Sequence, residues 1–275
     1  MKHFGLLGHP LGHTLSPQLH RLLAQEISEN NFPGNKPEID YRVMDIAPED
    51  LDSRTGELIS LDGFNITIPY KVRIMEKLDE LHESAKRHGA VNVVAVRDGR
   101  KIGFNTDCIG FVKTMEQNGI EISGRVCVLG AGGVGRMFAT EAALCGCEVT
   151  LAVREKHMDE AKRLAEGIKG SVRVCGIEKL GGEYDLLINA TPCGMFPKTD
   201  ASPVGAEILS GVKNVFDCIY NPSETKLMSE AKKAGCKVVG GLGMLVWQAA
   251  AAQEIWLGVS FTSEQIDRVM ERLSQ

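Results

Sequence analysis

The chain has 275 residues, 43% of them hydrophobic, which is ample for one large or two modest globular domains. A formal net charge of −5 gives no electrostatic case for nucleic acid or an anionic membrane surface as a partner. Thirty glycines exceed the usual share of roughly 7%, so where they fall carries information.

The apolar run near Met1 is too short for a signal peptide and lacks a small-residue cleavage site, so a cytoplasmic chain is expected. The stretch Val238 to Leu257 is weakly polar, but three early glycines and Gln248, Gln253 and Glu254 make it a buried helix rather than a membrane span. The eight cysteines form no C-x-x-C pair and several sit in apolar runs, which predicts buried, reduced thiols. Cys145 and Cys147 flank Gly146 at a strand entrance, and no metal is expected.

In chain order, Phe4 to Gly8 reads as a strand, and Ser16-Pro17 as a cap with an N1 proline before a helix bearing Leu19, Leu22, Leu23 and Ile27 on one face. Ile39 to Met44 and Gly63 to Pro69 alternate like strands. The charged stretch Lys71 to His88 reads as helical. It leads to strands at Ala90 to Arg97 and Lys101 to Asn105, joined by the turn Asp98-Gly99-Arg100. Asp107 to Asn118 reads as a connecting helix.

A second α/β series follows. Arg125 to Leu129 is a buried strand, 130–135 a glycine loop, Arg136 to Cys145 a helix and Glu148 to Val153 a strand. A helix bearing Ala161, Leu164, Ala165 and Ile168 comes next. Strands follow at Val172 to Val174, Leu186 to Asn189, Val215 to Cys218 and Lys237 to Val239, the last two separated by a helix from Ser223 to Ala234. From Gly243 the chain is helical, with Thr262-Ser263 as a cap. The expected organisation is 1–106 as a substrate-binding α/β domain, 107–242 as a doubly wound Rossmann domain, and 243–275 as helices returning to the first domain.

Gly130-Ala131-Gly132-Gly133-Val134-Gly135 fits G-x-G-x-x-G between a buried strand and a helix, the setting of a dinucleotide fingerprint. Its glycines let backbone N–H groups approach a pyrophosphate at the helix N-terminus. At the end of the next strand Val153-Arg154-Glu155-Lys156 offers Arg154 to a 2′-phosphate, with Glu155 opposing that choice. In the first half Asn65 and Thr67 alternate onto one strand face and Lys71 follows its end, a pattern an edge strand would also produce. Asp107 can be a helix cap, and His13 to Pro17 offers two hydroxyls at a helix N-terminus. Gln248 is either a partnered buried amide or a ligand contact.

Together these residues resemble the shikimate dehydrogenase family over essentially the whole chain. The resemblance rests on Gly8-His9-Pro10, His13 to Pro17, Asn65 to Lys71, Gly89 to Asn92, Asn105-Thr106-Asp107, Gly130 to Gly133, Asn189 to Pro192, and Gly241 to Val246 with Gln248. It implies reversible NADPH-dependent reduction of 3-dehydroshikimate to shikimate, in aromatic amino-acid biosynthesis, in a cleft between a substrate domain and a Rossmann domain. Lys71 and Asp107 would be the catalytic pair. Thr14, Ser16 and Tyr220 would bind the substrate carboxylate, and Asn65, Thr67, Asn92 and Gln248 the ring hydroxyls. Gly130, Ala131, Gly132, Gly133 and Val134 would hold the pyrophosphate and Arg154 the 2′-phosphate, with Thr191, Gly241 and Met244 on the nicotinamide side.

Thr14 stands where the family commonly has serine, and Val153-Arg154-Glu155 where NADP-using members often have Asn-Arg-Thr. NADP is expected over NAD, with a small-molecule substrate and a monomer or homodimer. The rivals are an NAD-dependent quinate/shikimate dehydrogenase and a nucleotide-binding regulator without turnover.

Overall fold

The computed structural model describes residues 1–12, 14–27 and 38–274. His13, part of the hydroxyl-bearing loop, lies outside them. The chain divides into one unit of residues 1–110 with 246–275 and a second of residues 111–245.

The first unit is built from β1 (Lys2–Gly8), α1 (Ser16–Glu26), β2 (Ile39–Asp45), α2 (Thr55–Ile59), β3 (Gly63–Ile66), α3 (Tyr70–Arg73), β4 (Glu80–Leu81), α4 (Glu83–His88), β5 (Val93–Arg97), β6 (Arg100–Phe104) and the start of α5 (Asp107–Gln117). Its six-stranded sheet runs β2-β1-β3-β5-β6-β4. β1 is parallel to β2 and β3, while β5 is antiparallel to β3 and β6. The C-terminal ends of β3 and β6 therefore meet the start of β5 at one sheet edge. Leu7, Ile46, Leu51, Phe64, Tyr70 and Ile74 pack as its core, and the Tyr70 hydroxyl donates to the Ile46 carbonyl.

The second unit alternates β7 (Arg125–Leu129), α6 (Gly133–Leu144), β8 (Glu148–Val153), α7 (Met158–Glu166), β9 (Val172–Gly176), β10 (Tyr184–Asn189), α8 (Ala206–Leu209), β11 (Val212–Asp217), α9 (Lys226–Lys233) and β12 (Lys237–Gly240). All of its strands are parallel, in the order β12-β11-β10-β7-β8-β9. The buried apolar runs of β7, β8 and β10 are what a parallel sheet covered on both faces requires. The order reverses between β7 and β10, the switch point at which open α/β sheets bind ligands.

After β12 come α10 (Leu242–Leu257) and α11 (Ser263–Leu273). α11 opens with a capping box between Thr262 and Gln265, and Gln265 Nε2 donates to Glu26 O at 2.6 Å, fastening it to α1. Trp256 of α10 stacks on Phe4 with ring centroids 4.4 Å apart and donates from Nε1 to Val94 O at 2.9 Å. His20 lies against Trp256 at 5.4 Å and stacks on Tyr41 at 4.3 Å, completing a column of four rings.

Several expected boundaries shift. The stretch 71–88 is not one helix: α3 ends at Arg73, a 3₁₀ turn spans Ile74–Lys77, and Glu80–Leu81 pairs with β6. That pairing lets Leu78 and Leu81 reach the core, a tertiary gain that local propensity does not register. Ser16 is the first helical residue, with Leu15 at the cap position. β3 stops at Ile66, so Thr67 lies beyond the strand. α6 already begins at Gly133, and α9 at Lys226 with Thr225 as its cap. The thiols are not uniformly buried. Cys145 is exposed and Cys175, Cys193 and Cys218 are half-buried, although desolvation still raises Cys147 to about 11 and Cys218 to about 12.

Burial lowers the His20 pKa to about 3, whereas in the unfolded chain it is about 6.5. The stability this neutral imidazole provides is complete above about pH 6.5 and is lost as pH falls toward 3, at up to about 1.4 kcal/mol per pH unit. Unfolding free energies between pH 6.5 and 5 should show this slope, and a His20→Gln variant should flatten it. Equal slopes in the two proteins would contradict the burial argument.

Candidate active site

Polar residues of the first unit converge on the carboxylate of Asp107. Lys71 Nζ donates to Asp107 Oδ2 at 2.6 Å, and Asn92 Nδ2 donates to Asp107 Oδ1 at 2.9 Å. Thr106 N donates to Asn92 Oδ1 at 2.7 Å, which fixes the end of the amide that faces the carboxylate. Asn92 Nδ2 also lies 3.0 Å from Thr106 Oγ1 and 3.4 Å from Gln248 Oε1, and Thr106 Oγ1 donates to Gln248 O at 2.9 Å. Asn92 and Thr106 are buried, while the side chains of Lys71 and Asp107 keep 28% and 15% of their exposure. The ion pair is therefore more exposed than the amide that orients it.

The sheet explains this meeting. Asn65 of β3 pairs in register with Leu6 of β1 and Val93 of β5, and Asn92 immediately precedes β5. Lys71 sits on the short α3 just after β3, and Asp107 follows β6. Asp107 is not the cap of α5: Asn105 Oδ1 accepts the Asp107 N–H at 3.0 Å, leaving the Asp107 side chain for Lys71. At the start of α1, Thr14 Oγ1 donates to Ser16 Oγ at 3.2 Å and accepts from Ser16 N at 3.2 Å. Thr67 is half-buried, its N–H bound to Leu7 O at 2.9 Å.

In the second unit the glycine loop lies at the switch point. Gly130 adopts φ +99°, and a Cβ there would come within 2.9 Å of Thr191 Cγ2. A Cβ added at Gly132 or Gly133 would meet nothing within 4 Å, so the loop offers open backbone at the start of α6. A cavity of about 230 Å³ is lined by Gly130, Ala131, Gly132 and Thr191 together with Arg154 and His157. Among the described residues, Arg154 lines it and Glu155 does not, which separates two neighbours that sequence could not rank. Val134 is half-buried on the first turn of α6.

Thr191 is held firmly. Its N–H and hydroxyl both donate to Asn189 Oδ1, at 3.0 and 2.7 Å, and Asn189 Nδ2 donates to Asp217 Oδ1 at 3.0 Å. Asp217 is fully buried, which pushes its carboxyl pKa up, although the Thr225 hydroxyl and Ile219 N–H also donate to it. Gly241 is needed for close approach, since a Cβ there would lie 2.1 Å from Cys218 O. Met244 is buried on α10, and Tyr220 of the same unit keeps 45% exposure.

Sequence reasoning passed over His157, Glu160 and Asp217. His157 Nδ1 lies 3.8 Å from Glu160 Oε2, and both line the cavity. Their signal was the helical spacing after Arg154. For Asp217 it was a lone acid ending an apolar strand.

A family model described as the shikimate dehydrogenase substrate binding domain matches residues 6–94. Shikimate dehydrogenase (NADP(+)) of Caldanaerobacter subterraneus subsp. tengcongensis is 37% identical over 272 residues, covering 96% of this chain and 94% of that protein. The crystal structure of Thermus thermophilus shikimate 5-dehydrogenase, in complex with NADP(H) and shikimate, is similar at TM-score 0.85 and 36% identity, covering 99% of each chain. That of Listeria monocytogenes shikimate 5-dehydrogenase, in complex with shikimate and NAD, is similar at TM-score 0.82 and 27% identity, covering 99% of this chain and 96% of its own.

A Cβ at Gly135 would lie 2.1 Å from Gly130 O. Gly135→Ala should therefore cost about 1–3 kcal/mol through overpacking and lower Tm by several degrees in a thermal melt. A variant melting with the parent would remove this packing constraint from the loop.

Proposed function

The chain belongs to the shikimate dehydrogenase family, and from that membership we propose that it catalyses the reversible NADPH-dependent reduction of 3-dehydroshikimate to shikimate. It is an NADP-dependent oxidoreductase acting on a CH–OH group, placed in the route to chorismate and the aromatic amino acids. The observation that ties this chemistry to particular atoms is the 2.6 Å contact between Lys71 Nζ and Asp107 Oδ2.

Bound NADPH supplies the hydride. The carbonyl oxygen then gains negative charge, and Lys71 Nζ is the ammonium that donates a hydrogen bond and a proton to it. Asp107 aims that ammonium, balances its charge and accepts from a substrate hydroxyl. Asn65, Thr67, Asn92 and Gln248 are assigned to ring hydroxyls. Thr14 and Ser16, at the N-terminus of α1, are assigned with Tyr220 to the carboxylate.

The residues present fit the cofactor. The open backbone at Gly132 and Gly133 suits a pyrophosphate, as do its neighbours Gly130, Ala131 and Val134. Arg154 in the adjoining cavity suits a 2′-phosphate, while Thr191, Gly241 and Met244 are assigned to the nicotinamide side. In this reading residues 1–106 bind substrate, 107–242 bind cofactor, and 243–275 brace the first domain. The protein works in the cytoplasm as a monomer or homodimer, without nucleic acid.

Initial rates with shikimate and quinate, each against NADP and NAD, test the whole assignment. Shikimate with NADP should be the fastest combination. A faster reaction with quinate and NAD would instead favour the catabolic relative, a comparison made pointed by the methyl of Thr14 and by the related structure that holds NAD. Lys71→Ala should lower turnover by roughly 10²–10⁴-fold with NADPH binding intact; near-normal turnover would remove Lys71 from the chemistry. Arg154→Ala should raise KM for NADPH by about 10–100-fold and leave KM for NADH unchanged. Equal effects on both cofactors would exclude a 2′-phosphate contact.

A further inference from the structure

Asn65 is held from behind by a donor, and this determines what it can offer a ligand. The Tyr41 hydroxyl donates to Asn65 Oδ1 at 2.7 Å, and the buried His20 imidazole stacks on the Tyr41 ring with centroids 4.3 Å apart. The tautomer of His20 follows from its other neighbour. Gln253 Nε2 donates to His20 O at 2.8 Å, so the amide nitrogen faces His20, and the same nitrogen lies 3.2 Å from His20 Nδ1. A nitrogen bearing only hydrogens requires Nδ1 to accept, which leaves the ring proton on Nε2.

The Tyr41 hydroxyl takes one lone pair of Asn65 Oδ1, in a buried place, Asn65 being 6% exposed. Turning the amide over would break that bond and set Nδ2 against the Tyr41 hydroxyl. Tyr41 cannot easily withdraw, because its ring belongs to the Phe4–Trp256–His20–Tyr41 column.

We propose that Tyr41 is a positioning residue that holds Asn65 Oδ1 and so presents the amide Nδ2 to the substrate as a hydrogen-bond donor. This rests on the reading of Asn65 as a substrate contact. A substrate oxygen must present a lone pair to Asn65 Nδ2.

The test is steady-state kinetics on the full chain with shikimate and NADP, alongside thermal melts. Tyr41→Phe keeps the ring and removes the hydroxyl. It should raise KM for shikimate about tenfold while kcat and KM for NADP stay at the parent values. Introduced into Asn65→Ala, it should raise KM no further, since the residue it acts through is gone. Asn65→Asp keeps an acceptor for Tyr41 but loses both N–H donors. It should melt as a folded protein with KM for shikimate raised at least about tenfold, an arm that stands even if Tyr41→Phe is recovered unfolded. An unchanged KM in either single variant, or an equal Tyr41→Phe effect with and without Asn65, overturns the inference alone. A parent enzyme idle on shikimate overturns the functional reading and this inference with it.

Discussion

The amide of Asn92 is the constraint on which the first unit's polar cluster depends. Its oxygen is committed to the Thr106 N–H, so its nitrogen must face Asp107, the Thr106 hydroxyl and Gln248. Segments around residues 92, 106 and 248 are thereby joined through one group that no solvent can replace. A buried amide left without partners costs about 1–3 kcal/mol, so displacing any of these segments is penalised. Asp107 inherits its orientation from this arrangement, and Lys71 inherits its own from Asp107.

The second unit repeats the device with different residues. Asn189 spends its oxygen on both donors of Thr191 and its nitrogen on Asp217. Asp217 lies wholly in the interior, where burial outweighs three donors in setting its carboxyl pKa. In each unit a buried amide decides the direction of a side chain that faces the site. Such support is what keeps a polar constellation within the narrow tolerances that catalysis requires.

The parallel sheet and its glycine loop were legible because apolar runs such as Arg125 to Leu129 and the closely spaced glycines after them are local signals. The stretch 71–88 was misread because it contains no glycine or proline before Gly89, and its break comes from Glu80–Leu81 pairing with a strand twenty residues away. Asp107 looked like a cap because a sequence cannot show whether a carboxylate faces its own helix or a lysine 36 residues earlier. Tyr41 and His20 fitted the pattern of a strand and of a buried helix face so well that nothing set them apart. Arg154 and Glu155 were separated only by the turn that follows β8.

The ring column also determines what light can report about this molecule. The chain has two tryptophans, Trp247 and Trp256, and both belong to the unit of residues 1–110 and 246–275. The unit of residues 111–245 has none. Intrinsic indole emission is therefore a signal from the first unit, with Trp256 wedged between Phe4 and His20 as its local reporter. Far-ultraviolet ellipticity, by contrast, sums the helices and strands of both units, so any lag between the two signals during unfolding would reveal whether the units melt together or in sequence.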